Sequence, residues 1–310
     1  MSGWTRRRLL VTLGSAATAG LVAPALAAPR DAWFGVGRGE LTGQVALVTG
    51  STDGLGRQVA LELAALGARV LVHGRNRERG EAVVREIRDL GSEASFYAAD
   101  FAAIAEVRAL AEAIRGDQDR LDLLINNAGI WRREGDETRH LSADGHELMF
   151  AVNYLAGFLL THELRGLLAA SAPSRVINVA SRAQAPLDFD DPMLEREFSP
   201  GRAYAQSKLA QILFTLDIAE AFAADGITVN SLHPATLMDT TMVRLAGMAP
   251  RATVEEGVEA VMQLAVSPDY GAGGGLYLEG LEEARAHPQA YDEHARAALR
   301  RLSETLVAGD

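Results

Sequence analysis

The 310-residue chain is 48% hydrophobic and 23% charged with a formal net charge of −11, a globular composition that excludes disordered, collagen-like and disulfide-scaffold proteins. Its acidic balance, 41 Asp and Glu against 30 Lys and Arg, argues against a nucleic-acid or anionic-membrane partner, and the absence of cysteine removes disulfides, thiolate metal sites and thiol nucleophiles. Lys208 is the single lysine in a chain that otherwise uses Arg, which marks it as a position where a planar guanidinium does not serve.

Residues 1–28 place Arg6, Arg7 and Arg8 before a mildly apolar stretch that ends at Ala25-Leu26-Ala27, the layout of an export signal with a small-residue cleavage site. The run Thr5–Leu10 resembles a twin-arginine signal, implying a periplasmic or other extracytoplasmic location, with an uncleaved membrane anchor as the alternative. No later run approaches the ~20 apolar residues of a membrane span. Residues 29–42 read as a linker and 43–310 as one catalytic domain.

Within that domain, short β-branched runs at 44–49, 69–74, 94–99, 121–126, 175–180, 227–232 and 275–279 alternate with helix-patterned segments. The helices are expected near 55–66, 77–90, 102–115, 142–170, 202–224, 253–267 and 287–306. This alternation predicts an α/β single-domain Rossmann fold, a doubly wound seven-stranded parallel sheet flanked by helices. Ligands in such sheets sit at strand C-termini.

After the first strand comes Gly50-Ser51-Thr52-Asp53-Gly54-Leu55-Gly56. Glycines there permit a tight turn and close approach to a pyrophosphate, and the following helix offers free N–H groups. The second strand ends in His73-Gly74-Arg75-Asn76-Arg77, with no acid to hold a ribose 2′-hydroxyl and an Arg to accommodate a 2′-phosphate. NADP is therefore favoured over NAD, although Asp53 adds a negative charge nearby. Asp100, followed by Phe101, ends the third strand, where it accepts a hydrogen bond from adenine or caps the next helix.

Reducing a carbonyl by hydride transfer leaves an alkoxide that needs a proton. Tyr204 and Lys208, at i and i+4, place a phenol and an ammonium on one helix face, and a fixed cation draws a tyrosine pKa down toward neutrality. Ser181 follows the strand 175–180, so its hydroxyl emerges at the edge where a substrate would sit.

The glycine loop, Asn126-Asn127-Ala128-Gly129, Asn153, Ser181 and Tyr204/Lys208, in that order, resemble the short-chain dehydrogenases/reductases over about residues 43–306. The segments around Asn153 and Tyr204 look like the retinol-dehydrogenase-like branch. The resemblance implies that Tyr204 is the acid/base, that Lys208 holds the nicotinamide ribose and lowers the tyrosine pKa, and that Ser181 hydrogen-bonds the substrate oxygen. It implies that Asn153 anchors a proton-relay water, that Asn127, Ala128 and Gly129 form a cofactor wall, and that Pro234 approaches the nicotinamide amide. Ala235 stands where the family has Gly.

The expected activity is hydride transfer between NADP(H) and a lipophilic aldehyde, ketone or secondary alcohol. A non-catalytic nucleotide-binding sensor is the rival reading, although a sensor has no need of a proton donor. The expected partner is a small carbonyl or alcohol rather than a nucleic acid; no metal is expected, and a homo-oligomer remains open. Leu237, Met238, Met242, Val243, Leu245 and Met248 in 235–252 suggest an apolar lid, and the acids of 182–200 a solvated loop.

Overall fold

The computed structural model describes residues 29–308, so the export-signal reading of residues 1–28 lies outside the described residues. Strands β3 (Val45–Val48), β4 (Arg69–Gly74), β5 (Ala94–Ala98), β6 (Leu123–Asn126), β7 (Ser174–Val179), β8 (Ile227–His233) and β9 (Tyr277–Glu279) pair in parallel. These are the seven expected strands. An eighth, β10 (Glu282–Glu283), closes the edge antiparallel to β9, and the spatial order is β10-β9-β8-β7-β6-β3-β4-β5. Two exposed glutamates carry no hydrophobic period, so β10 left no signal in the sequence.

Helices cover both faces. On one, α3 (Ile104–Asp117), α5 (Ala156–Ala170), α6 (Pro200–Ala223) and α9 (Glu293–Ala308) bury Leu124, Phe150, Leu160 and Phe222. On the other, α1 (Gly54–Ala65), α2 (Arg77–Asp89) and α8 (Val254–Val266) bury Val48, Leu63, Ile125 and Val261. Strands covered on both faces must be apolar throughout, which is why the runs were readable. The order of winding reverses between β3 and β6, and the crevice beyond their C-terminal ends is where such sheets take a ligand.

Two segments depart from expectation. The 29–42 linker is instead a docked ribbon in which β1 (Ala32–Trp33) pairs with β2 (Val36–Gly37). Both turn residues, Phe34 and Gly35, have positive φ, the geometry that lets a two-residue turn follow strand twist. Trp33 is buried, and its Nε1–H donates to the buried Glu62 carboxylate at 2.9 Å. The second departure lies in the 142–170 helix, which begins only with α4 (Leu148–Phe150), where the Glu147 carboxylate accepts from Met149 N and Phe150 N. A π-turn over Ala151–Leu155 then separates α4 from α5.

Candidate active site

The glycine loop and the Asn126–Gly129 turn are interlocked. Thr49 Oγ1 accepts from Asn127 N at 3.0 Å and Ala128 N at 2.9 Å, while Asn127 Nδ2 donates to Thr49 O at 2.8 Å. A Cβ on Gly56 would lie 2.3 Å from Asn127 Nδ2 and 2.6 Å from Gly50 O, and one on Gly50, whose φ is +66°, would lie 2.9 Å from Ala128 Cα. Only glycine fits at either position. Asp53 caps α1 by accepting from Gly54 N at 2.7 Å.

Behind the loop, His73 ties three strands together. Its Nδ1 accepts from Gly50 N at 3.1 Å, and its Nε2 lies 3.2 Å from Ala99 O, which fixes the Nε2–H tautomer. Burial pushes its pKa down to about 4, so the ring is neutral, and it stacks on Phe101 at 4.3 Å. Ser51 is also behind the wall, its hydroxyl accepting from His73 N at 3.0 Å, so it supports the loop and does not line the cavity. Nothing in the sequence flagged His73 because its partners come from two other segments, 50–51 and 99–101.

At the second-strand end Arg75 lies 3.6 Å from Asp100, and Arg79 lies 3.6 Å from Asp53. Both arginines are largely exposed. Arg77 turns instead to Glu81 on its own helix. Asp100 also accepts from Ala102 N at 3.0 Å, which restrains the turn into α3, whereas the residue directly preceding that helix is Ala103.

From this loop a cavity of about 690 Å³ runs to Ser181 and Tyr204. Its lining includes every expected cofactor-wall residue except Ser51: Gly50, Thr52, Gly54, Leu55, Gly56, Arg75, Asp100, Phe101, Asn127, Ala128, Gly129 and Pro234. Tyr204 and Lys208 face it from α6. Ser199 N-caps that helix, and Pro200 occupies its first turn, where a missing N–H costs nothing.

Ser181 and Tyr204 share a hydrogen bond, and the Tyr204 ring stacks on Trp131 at 4.4 Å and 11°. Contrary to the lowering expected from Lys208, burial pushes the Tyr204 phenol up to about 12, with the Ser181 hydrogen bond pulling the other way. Lys208 Nζ sits 5.7 Å from the Tyr204 ring centre and donates to Val179 O at 2.8 Å and Gln211 Oε1 at 2.9 Å. Burial brings its pKa down to about 7. Two of the three ammonium donors are thus held by the protein. Gln211, one turn beyond Lys208, had no motif to mark it.

Asn153 lies in the π-turn, one layer behind the cavity lining. Its Oδ1 accepts from Ile130 N at 2.7 Å, and its Nδ2 donates to Ile130 O at 3.1 Å and Ser207 Oγ at 2.9 Å. A Cβ on Gly129 would lie 3.4 Å from Asn153 Oδ1 and 3.6 Å from Lys208 Nζ, ordinary van der Waals separations that place the amide and the ammonium on either side of this turn. A π-turn rotates one residue out of the helical register, and here it carries the amide toward Ile130.

The segment 235–252 folds into α7 (Thr241–Leu245), N-capped by Thr240. Leu237, Met238, Met242 and Val243 line the cavity, whereas Leu245 and Met248 are exposed. The 182–200 loop is more ordered than its acids suggested, because buried Asp191 accepts from Glu195 N and Arg196 N. Among the described residues no helix is long and apolar enough to cross a membrane, and no group of three or more acidic or histidine side chains could hold a metal.

Residues 44–249 match the family of short chain dehydrogenases. The chain is 34% identical over 295 residues to mouse retinol dehydrogenase 14, covering 87% of each protein, and 34% identical over 287 residues to human retinol dehydrogenase 13. It is 35% identical over 292 residues to human dehydrogenase/reductase SDR family member 13, covering 87% of this chain and 75% of that one. Among solved structures, a Mycobacterium paratuberculosis protein aligns with a TM-score of 0.71 at 26% identity over 87% of this chain and 95% of that chain. A Burkholderia cenocepacia short chain dehydrogenase in complex with NADP aligns with a TM-score of 0.63 at 29% identity, over 77% and 96%.

Proposed function

The chain belongs to the short-chain dehydrogenase family, and from that premise we propose that it transfers hydride between NADP(H) and a lipophilic aldehyde, ketone or secondary alcohol. The observation that carries this reading is the convergence of Ser181, Tyr204 and Lys208 on a cavity that runs unbroken to the glycine loop.

The residues present suit a dinucleotide. Gly50 and Gly56 leave the loop backbone bare, α1 presents its N-terminus, and one ammonium donor of Lys208 is not held by the protein. Arg75 and Arg79, each beside an exposed carboxylate, supply the cation that a 2′-phosphate requires, and no acid occupies the end of β4. Arg79, 3.6 Å from Asp53, stands as a cation beside the one acid of the glycine loop, which supports the NADP reading.

When bound, the nicotinamide supplies or accepts the hydride. In reduction, the Ser181 hydroxyl holds the carbonyl oxygen and the Tyr204 hydroxyl gives it a proton. The Lys208 ammonium, compact enough to sit beside the phenol, stabilises the tyrosinate that remains. The amide of Asn153 fixes Ile130 and Ser207, and through them the wall around Lys208. Oxidation of an alcohol runs through the same atoms in reverse.

Export follows from the arginines at 6–8 as a further part of this proposal, with the nucleotide loaded before transport. NADPH consumption measured by stopped flow across a panel of aldehydes and ketones tests the reading, with NADH as the comparison. Tyr204→Phe should lower kcat at least ~100-fold while NADPH still binds. Unchanged turnover by Tyr204→Phe, or NADPH binding without turnover on any carbonyl, would favour the sensor.

A further inference from the structure

At its reacting end the cavity has an apolar wall with one guanidinium set into it. Ile130, Trp131, Leu148 and Met242 supply the apolar surface. Two arginines line the cavity: Arg75 at the adenosine end and Arg182, directly after Ser181, at the reacting end.

Arg182 is held in place without being consumed. Its Nη2 donates to Thr236 Oγ1 at 3.0 Å, and its Nη1 lies 4.0 Å from Glu279 Oε2. The Thr236 hydroxyl lies 3.0 Å from His233 Nε2. Burial and the nearby Arg182 and Lys208 push His233 down to about 4, so its ring is neutral and accepts the Thr236 proton. Thr236 is then free to receive from Arg182, and the chain Arg182–Thr236–His233 aims the guanidinium.

Among the described residues Glu279 is the only carboxylate within 4.0 Å of Arg182, and it is steadied from the other side by the Tyr277 hydroxyl at 3.2 Å. At 4.0 Å, between side chains 59% and 32% exposed, that ion pair contributes little. The Nε of Arg182 has no partner among the described residues. A planar fork with unfilled donors, opening into an apolar cavity, matches a carboxylate, which it can bind through two parallel hydrogen bonds.

We infer that Arg182 reads a carboxylate of the substrate, so that the substrate class is an oxo acid or hydroxy acid with an apolar body. This rests on the oxidoreductase reading above and narrows its lipophilic carbonyl to an amphipathic one. The reactants balance as before: hydride and proton add to the carbonyl, while the carboxylate stays ionised and unreacted.

The test compares 4-carboxybenzaldehyde with methyl 4-formylbenzoate, two aldehydes that differ in charge, in the wild-type protein and in Arg182→Gln, Arg182→Lys and Glu279→Gln. The wild type should prefer the acid at least about tenfold in kcat/KM, since a charge-assisted hydrogen bond is worth that much. Arg182→Gln should bring the acid/ester ratio to about 1 through the KM of the acid. Arg182→Lys should restore part of the preference, and Glu279→Gln, by removing the competing carboxylate, should raise it.

Equal use of acid and ester by the wild type, or a parallel loss of both in Arg182→Gln, would overturn the inference. If neither aldehyde consumes NADPH, calorimetric titration of the NADPH complex with decanoate and with decanol decides the matter. Decanoate binding that disappears in Arg182→Gln would uphold the anion site while the oxidoreductase reading fails. Absence of decanoate binding to the wild type would sink the anion site itself.

Discussion

A neutral imidazole at His73 makes the glycine loop sensitive to acid. Its Nδ1 must remain an acceptor for Gly50 N–H, and protonation would set a donor against a donor. The folded pKa is about 4 against an ordinary 6.5, so between those values the unfolded chain binds the extra proton and stability falls as pH drops. His233, also brought down to about 4, acts in the same direction. We expect a loss of roughly 1 kcal/mol per pH unit per histidine across that window, read as a falling Tm, with NADPH released before global unfolding. His73→Gln should flatten the slope; an unchanged slope would mean that other groups govern acid lability. The residues legible in the sequence were those whose chemistry is tied to a spacing, above all Tyr204 and Lys208. His73, Trp131, Arg182 and Gln211 were not, because each acquires its role from partners that folding alone brings near.

Between elements, the tightest fit is the seam where α1 leaves the glycine loop against the turn after β6. Alanine at 56 would drive a Cβ into Asn127 Nδ2 and the Gly50 carbonyl. One of those atoms is backbone, so relief requires the loop itself to move. Gly56→Ala should destabilise the fold by ~1–3 kcal/mol and raise the KM for NADPH at least tenfold while kcat at saturation falls less. Calorimetry and steady-state kinetics check both; a normal KM would show that the loop has slack. The strands were legible because burial on both faces demands unbroken apolar runs. The start of α4 was not, because its cap is Glu147, whose carboxylate reaches the N–H groups of Met149 and Phe150, and glutamate is not among the residues that usually mark a helix start.

For the molecule as a whole, the parallel sheet gives the domain two unlike ends: one carries the cavity, and the other receives the chain as it enters. The β1–β2 ribbon rests beside the later turns of α1 and against α8, and Leu41 N donates to Leu66 O just past the end of α1. Helices in a doubly wound sheet finish at the strands' starting edge, so this ribbon lies across the molecule from Ser181 and Tyr204. Trp33→Ala should therefore cost ~3–5 kcal/mol and several degrees of Tm while kcat/KM stays within about twofold at 25 °C. A large kinetic defect in well-folded Trp33→Ala would show that the two ends communicate. The ribbon end is not featureless: a second cavity of about 670 Å³, lined by Arg38, Thr42, Gln44, Arg69 and Glu93, opens there, so the domain offers a concave surface at each end.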